Sequence, residues 1–305
     1  MPEEKVVNFS FVPFTSSNAL LRHAELLSSQ ARSPDTIPNT YRPVNESAGF
    51  LKEELSTEML NQVRRHLWIA GLPSSTTRPL HRHRVLNREI VVCEQVGLHL
   101  VSFRNRIYVK PIPRCLLYHD FYNDHIAPNQ HLSPQALGFL SSYLRLIRYE
   151  SDFQIANELG LLPKTVSWED WLSFAKDIDK NTPRTFGNRF DYGELRLSRL
   201  NIIVRLQRGR FTRGYQSLDS SYGSYFAPFF AFLILAIGFI GLALSAFQVM
   251  QNTPNAPNAI FTAGWGFSIA TLLLLGVVVC IPGVWLFILI LDNAVFALQK
   301  RLSGH

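Results

Sequence analysis

Between Asp219 and Asp292 the chain has no Lys, Arg, Asp, Glu or His, a gap of 72 residues in a sequence that is 17% charged. Soluble domains carry charge along their whole length, so this gap excludes an ordinary water-facing fold for residues 220–291. Cysteine is also scarce. Cys93, Cys115 and Cys280 are odd in number and form no CxxC pair, which excludes a disulfide framework and leaves reduced packing residues. A nucleophile elbow, a phosphate-binding glycine loop, a zinc-protease helix and a dinucleotide fingerprint are all missing. Met1-Pro-Glu-Glu-Lys5 lacks the basic and then apolar regions of a secretory leader, and its acids do not suit a transit peptide, so no cleaved targeting segment is expected.

The charge-free block holds two apolar segments, 226–249 and 267–289, separated by Gln251-Asn-Thr-Pro-Asn-Ala-Pro-Asn258. Each is longer than the ~20 residues that cross a bilayer core as helix, and few soluble helices stay apolar on every face for that length. A transmembrane helical hairpin over 220–299 is predicted, with a short tail at 300–305. Arg205, Arg208, Arg210 and Arg213 precede the first span, Lys300 and Arg301 follow the second, and the loop is uncharged. The positive-inside rule then puts both termini in the cytoplasm of an integral protein of the endomembrane or plasma membrane. The sequons Asn8-Phe-Ser10 and Asn45-Glu-Ser47 should accordingly stay unglycosylated. Gly238, Gly241 and Ser245 form a small-residue face suited to close helix packing, first of all against the second span. Pro282, beside Gly283, is the expected kink. No ionisable residue lies near midplane, which counts against proton-coupled transport.

Residues 1–219 hold 28 basic and 22 acidic residues, a formal +6. Residues 1–48, rich in Ser, Pro, Asn and Thr, read as a flexible arm, and 49–219 as a cytoplasmic α+β domain. Leu51, Leu55, Met59, Val63 and Leu67 recur at helical spacing. The runs Glu89–Val96, Leu98–Phe103 and Arg106–Lys110, punctuated by Gly97 and Asn105, predict a three-stranded antiparallel meander. Helices are expected from Arg114 to His125, from Ser133-Pro134 to about Glu150, and from Ser151 to Leu159. Another should follow the capping box Ser167-Trp-Glu-Asp170 to about Ile178, and a last one should cover Tyr192 to Gln207. The fold class is therefore a small antiparallel sheet with several helices, followed by the membrane hairpin.

Two basic clusters invite an acidic partner. Eight basic residues lie from Arg78 to Arg114 against Glu89 and Glu94, and no acid lies between Glu194 and Asp219. No RNA- or DNA-binding motif accompanies them, so nucleic acid is disfavoured against solvated surface or an anionic leaflet. Arg205, Arg208, Arg210 and Arg213 are the candidate anionic-lipid contacts. His81-x-His83 and His119-Asp-x-x-x-Asp124-His125 are the only metal-like spacings. The first puts both rings on one face only in an extended segment, and neither has a complete ligand set, so surface or capping roles are expected and no metal or cofactor is assigned. The acid pairs Glu150 with Asp152 and Glu169 with Asp170 read as helix caps.

The segments His66-Leu-Trp-Ile-Ala-Gly71, Arg78-Pro-Leu-His81, Arg88-Glu-Ile-Val-Val92, Lys110-Pro-Ile-Pro113, Glu150-Ser-Asp-Phe153 and Gly193-Glu-Leu-Arg-Leu-Ser-Arg-Leu-Asn201 resemble a family of fungal two-span membrane proteins of unknown function. That resemblance covers about residues 60–297 and implies architecture and fungal origin, with no functional residues. A looser, architectural similarity is to CorA-type divalent-cation channels. Their Gly-Met-Asn signature is absent here, where Gln248-Val-Met-Gln-Asn252 stands instead. The expected function is a non-enzymatic, membrane-anchored interaction module with lipid and protein partners, able to oligomerise through its spans. The alternatives are a CorA-like cation-channel subunit and a membrane-bound enzyme with an unfamiliar site.

Overall fold

A computed structural model describes residues 10–21, 37, 46–208, 214–216, 222–252, 258, 261–277, 280 and 284, with the backbone alone at 208 and 222–233. The chain divides into two units, Met1–Gly209 and Arg210–His305.

In the first unit, α1 (Ser47–Leu55), α2 (Glu58–Gln62) and α3 (Leu67–Ala70) stand where the apolar spacing predicts one helix. Ser56 is extended at φ −70° and ψ 122°, and this break advances the phase by one residue. Leu60 is buried in place of Met59, while Leu51, Leu55 and Leu67 keep their predicted places in the core. The chain continues through β1 (Gly71–Pro73), α4 (Leu80–Val85), β2 (Glu89–Val92), β3 (Val101–Phe103) and β4 (Arg106–Val109). Then follow α5 (Ser133–Leu146), α6 (Glu150–Glu158), α7 (Trp168–Asn181), β5 (Tyr192–Arg196) and α8 (Leu197–Arg208).

The sheet is mixed, not antiparallel, and among the described residues it has five strands in the order β1-β5-β3-β4-β2. The predicted hairpin between β3 and β4 forms around Arg104-Asn105, pairing Phe103 with Arg106 and Val101 with Tyr108. The predicted pairing of β2 with β3 does not form. A 3-10 turn at Val96–Leu98 and a left-handed Leu100 (φ 58°) carry the chain past β4. β2 therefore lies parallel to β4, pairing Glu89 with Arg106 and Val92 with Val109. β4 lies inside the sheet, with Ile107, Tyr108 and Val109 buried, while β2 at the edge leaves Val92 exposed.

Residues 192–196, expected to open the last helix, instead form β5, parallel to β3 and antiparallel to β1. A Cβ on Gly193 would stand 2.5 Å from the Thr77 hydroxyl oxygen, and one on Gly71 would collide with the Glu194 carbonyl. Two glycines thus allow the close approach of β1 and β5.

α5 is buried almost throughout and packs on α7, which turns Trp171, Phe174 and Ile178 inward. α7 opens with the predicted capping box: the Ser167 hydroxyl accepts from Asp170 N at 3.1 Å. It runs to Asn181, past the expected end. α5 opens at Ser133 as expected, with Leu132 at the cap position, and ends at Leu146, short of the expected end near Glu150. The helix predicted over 114–125 is a 3-10 turn at Arg114–Leu117, a short α turn at His119–Phe121 and a π turn at Tyr122–Ile126. Part of the expected arm belongs to the core. Phe14 lies 4.8 Å from Phe174 and 5.6 Å from Tyr122, centroid to centroid. Asp177 accepts from Thr15 N, the Thr15 hydroxyl and Asn18 Nδ2 at 2.9–3.0 Å, and these bonds hold its carboxyl below the usual aspartate range.

In the second unit, α9 (Tyr222–Gln251) contains one window, Ile234–Gln251, long and apolar enough to cross a membrane. A shorter apolar helix, α10 (Phe261–Val277), follows. The two meet where the Phe247 and Phe267 rings lie 5.3 Å apart and the Gln251 amide fills the space beside Gly264. Beyond α10 only Cys280 and Val284 of the second predicted span are described; Pro282 and the tail lie outside the described residues.

Candidate functional site

Polar groups in the first unit gather in two places. On β5, Glu194 Oε2 accepts from Arg78 Nη1 at 3.0 Å and from Arg88 Nη1 at 2.9 Å, with Oε1 3.7 Å from His83 Nε2. The Glu194 side chain is only 12% exposed, so its two guanidinium partners bond in a partly dry setting where charge-assisted bonds are strong. Beside it on α6, buried Asp152 accepts four bonds: His81 N at 2.7 Å, His81 Nδ1 at 2.8 Å, and the Arg148 and Tyr149 amides at 3.1 Å. It caps α6 and ties α4 to it. Arg148 in turn donates to the Thr77 carbonyl at 3.2 Å. Residues 77–88, 148–152 and 193–194 are thereby drawn into one cluster, and four of the segments that carry the family resemblance meet there.

His83 is fully buried in this cluster, and neither ring nitrogen makes a hydrogen bond within 3.5 Å. Burial pulls its pKa below the ordinary histidine value; Glu194 and the Arg78 backbone oppose this, while the Arg88 and Arg78 charges add to it. The ring is neutral at pH 7.

The second gathering runs through the core. Lys110 is fully buried at the end of β4; its Nζ lies 2.6 Å from Glu54 Oε2 and 3.6 Å from Glu94 Oε2, and it also donates to the Glu94 carbonyl. Its backbone N–H donates to His99 Nδ1 at 3.2 Å, and its carbonyl accepts from the Tyr143 hydroxyl. His99 therefore carries its proton on Nε2, directed at Ser142 Oγ 2.8 Å away. Burial, then Arg189 and Lys110, hold the His99 pKa well below its usual value. Arg189, also fully buried, donates to the carbonyls of Tyr192, His99 and Gly193 at 2.8–3.1 Å, joining the loop before β5 to the start of β3.

Beside Lys110 opens a cleft of about 370 Å³, with Glu54, Glu94 and Arg114 among its polar residues and prolines 111, 113 and 163 in its wall. Cys115 lines it, yet burial and then Glu54 push the thiol up to about 12, so it remains protonated at neutral pH and is a poor nucleophile. The cleft offers carboxylates and a guanidinium for polar contact, with a closed ion pair at its edge.

Other residues singled out from the sequence are dispersed. His81 and His83 lie on a helix and turn to different carboxylates. His119 approaches Asp120 at 3.3 Å, and His125 Nδ1 lies 3.3 Å from Ser47 Oγ. Among the described residues no three His, Cys, Asp or Glu side chains are grouped to hold a metal. Arg205 is half-buried on α8. The Arg208 side chain, Arg210 and Arg213 fall outside the described residues. On α9, Gly238 and Gly241 face open space, and the Ser245 hydroxyl donates to the Gly241 carbonyl at 2.9 Å; the described contact with α10 runs through Phe247 and Gln251 instead. Buried Lys110 and Arg189 left no sequence signal beyond a single charge at the end of an apolar strand and another beside Phe190.

A model of a family of unknown function, DUF6601, matches residues 47–275. The chain belongs to this family. The DUF6601 match opens at the first residue of α1 and closes within α10, so it takes in both polar gatherings, all five strands and α9. No curated protein and no solved structure matches the chain.

Proposed function

We propose that this DUF6601 protein is an integral membrane protein whose first unit is a cytoplasmic interaction module, held by a two-helix hairpin with both ends on the cytoplasmic side. The observation that carries this reading is the outward-facing apolar surface of α9, where Leu235, Phe239 and Leu242 are each 73% exposed. Water does not favour such a surface, whereas a bilayer does. Arginines before α9, Lys300 and Arg301 after the second span and an uncharged loop between them support the orientation. The polar gatherings support a binding role for the first unit, because their charges hold segments of chain in register and leave a shaped, charged cleft beside them. Gly238 and Gly241, open on α9, support self-association through the spans; an oligomeric cation channel is the second reading that this face favours.

Glycosylation mapping in microsomes tests the topology. A flexible insert bearing a sequon, placed after Asn255, is expected to take glycan while Asn8 and Asn45 do not. Glycan on Asn8 or Asn45 would reverse the orientation, and release of the chain at alkaline pH would remove the membrane reading. A protein that stays monomeric in mild detergent and passes no cations in liposomes would eliminate the channel.

A further inference from the structure

We infer that the first unit rests on an anionic bilayer surface through a face built by α3, β1 and α8. This inference rests on the membrane reading above. Among the described residues of this unit, eleven large apolar side chains are exposed, and five of them, Trp68, Ile69, Leu72, Ile202 and Leu206, belong to these three elements. The elements are joined: α3 runs directly into β1, α8 packs on α3, and Arg199 Nη1 donates to the Ile69 carbonyl at 3.2 Å. Ile202 and Leu206 are one turn apart on α8, and Trp68 is 67% exposed. Such a cluster of exposed apolar side chains marks a contact surface.

Charge selects lipid as the occupant. No acidic residue occurs from Met59 to Arg88 or from Leu195 to Leu218, while Arg65, Arg196, Arg199 and Arg205 lie on or beside the three elements. An apolar centre with a Trp and long basic side chains around it matches the layering of a bilayer, with acyl chains below and anionic headgroups at the level of the guanidiniums. Continuity of the chain adds to this. Thirteen residues, 209–221, separate α8 from α9 and span at most about 45 Å when extended. Once α9 is inserted, the face is therefore held at high local concentration near the bilayer.

The test uses the full chain in phosphatidylcholine vesicles, with and without about 30% phosphatidylserine, whose acyl chains are brominated near the headgroup end to quench nearby tryptophan. The emission difference between the native chain and Trp68→Phe isolates Trp68. In anionic vesicles its emission is expected to fall about twofold or more, and to recover in high salt as the headgroup attraction is screened. Ile202→Glu combined with Leu206→Glu, both at exposed positions, is expected to abolish this quenching with an unchanged circular dichroism spectrum. Trp68 emission indifferent to brominated lipid would overturn the inference. So would a Trp68 shielded from aqueous iodide yet unreached by bromine, which would mean that a second copy or another protein covers the face. In Trp68→Phe, the remaining tryptophans, Trp265 on α10 among them, report insertion independently. Their failure to be quenched would overturn the membrane reading itself, and quenching of them alone would overturn only the docked face.

Discussion

The two units satisfy their polar groups in opposite ways. In the first, each buried charge depends on chain far away in sequence: Lys110 on Glu54, Asp152 on His81, and Arg189 on the carbonyl of His99. In the second, the hydroxyls of Ser245, Thr262, Ser268 and Thr271 all donate to the carbonyl four residues earlier, at 2.7–3.2 Å. Apolar side chains reverse as well, filling the core of one unit and facing outward from the helices of the other. Long-range polar pairing fixes a unique core in water. Self-contained pairing suits helices whose surroundings offer no hydrogen bonds.

A charge swap is the strongest way to break this contrast. Arg189→Met keeps an apolar stem but strands three carbonyls, and is expected to destabilise the first unit by about 3 kcal/mol or more, read by urea unfolding of the full chain in mild detergent. Leu242→Arg makes the opposite change in the second unit. It is expected to cost insertion about 2.5–3.5 kcal/mol, seen as loss of the alkali-resistant membrane fraction. A neutral result for either would break the contrast.

Glycines give a smaller and cleaner comparison. A Cβ on Gly138 would stand 2.7–2.9 Å from Phe190, so Gly138→Ala is expected to cost about 1–3 kcal/mol by overpacking. Gly238 meets nothing within 4 Å, so Gly238→Ala should leave α9 intact. A loss of oligomer in that variant would instead reveal a helix from another copy on this face.

The smallest effect is that of pH. His99 and His83 both titrate below the ordinary histidine value in the fold, so below about pH 6.5 the unfolded chain takes up protons that the folded chain refuses. Stability is fully present above that pH and declines beneath it, by up to about 1.4 kcal/mol per pH unit for each ring. The urea midpoint should therefore fall between pH 7 and 5, before the carboxylates titrate. A flat profile would mean that the rings are charged or open to water.

How much of this was legible depended on how local the cause was. The Ser167 capping box and the turn at Arg104-Asn105 are set by residues within four positions of one another, and both form as the sequence predicts. The apolar character of α9 is likewise legible, since it needs no partner within the chain. The pairing of β2 is decided by the backbone path at Leu100, whose positive φ no leucine announces. β5 is decided by β1, about 120 residues earlier, and by the room that Gly71 and Gly193 leave. A helical count places Leu195, Leu200, Ile203 and Leu206 near one face because it cannot register a partner so distant; Leu206 is in fact exposed. The buried Lys110 was hidden for the same reason, since Glu54 and Glu94 reach it from separate segments.

The position of β5 in the chain also sets a timetable. It is the only described strand that touches β1, so the sheet cannot close until residue 196 exists, and only 25 residues then precede α9. At synthesis rates of about 5–20 residues per second, those 25 residues take roughly one to five seconds. The last strand of the sheet and the first residue of the apolar helix therefore leave the ribosome almost together, and closing the one coincides with delivering the other.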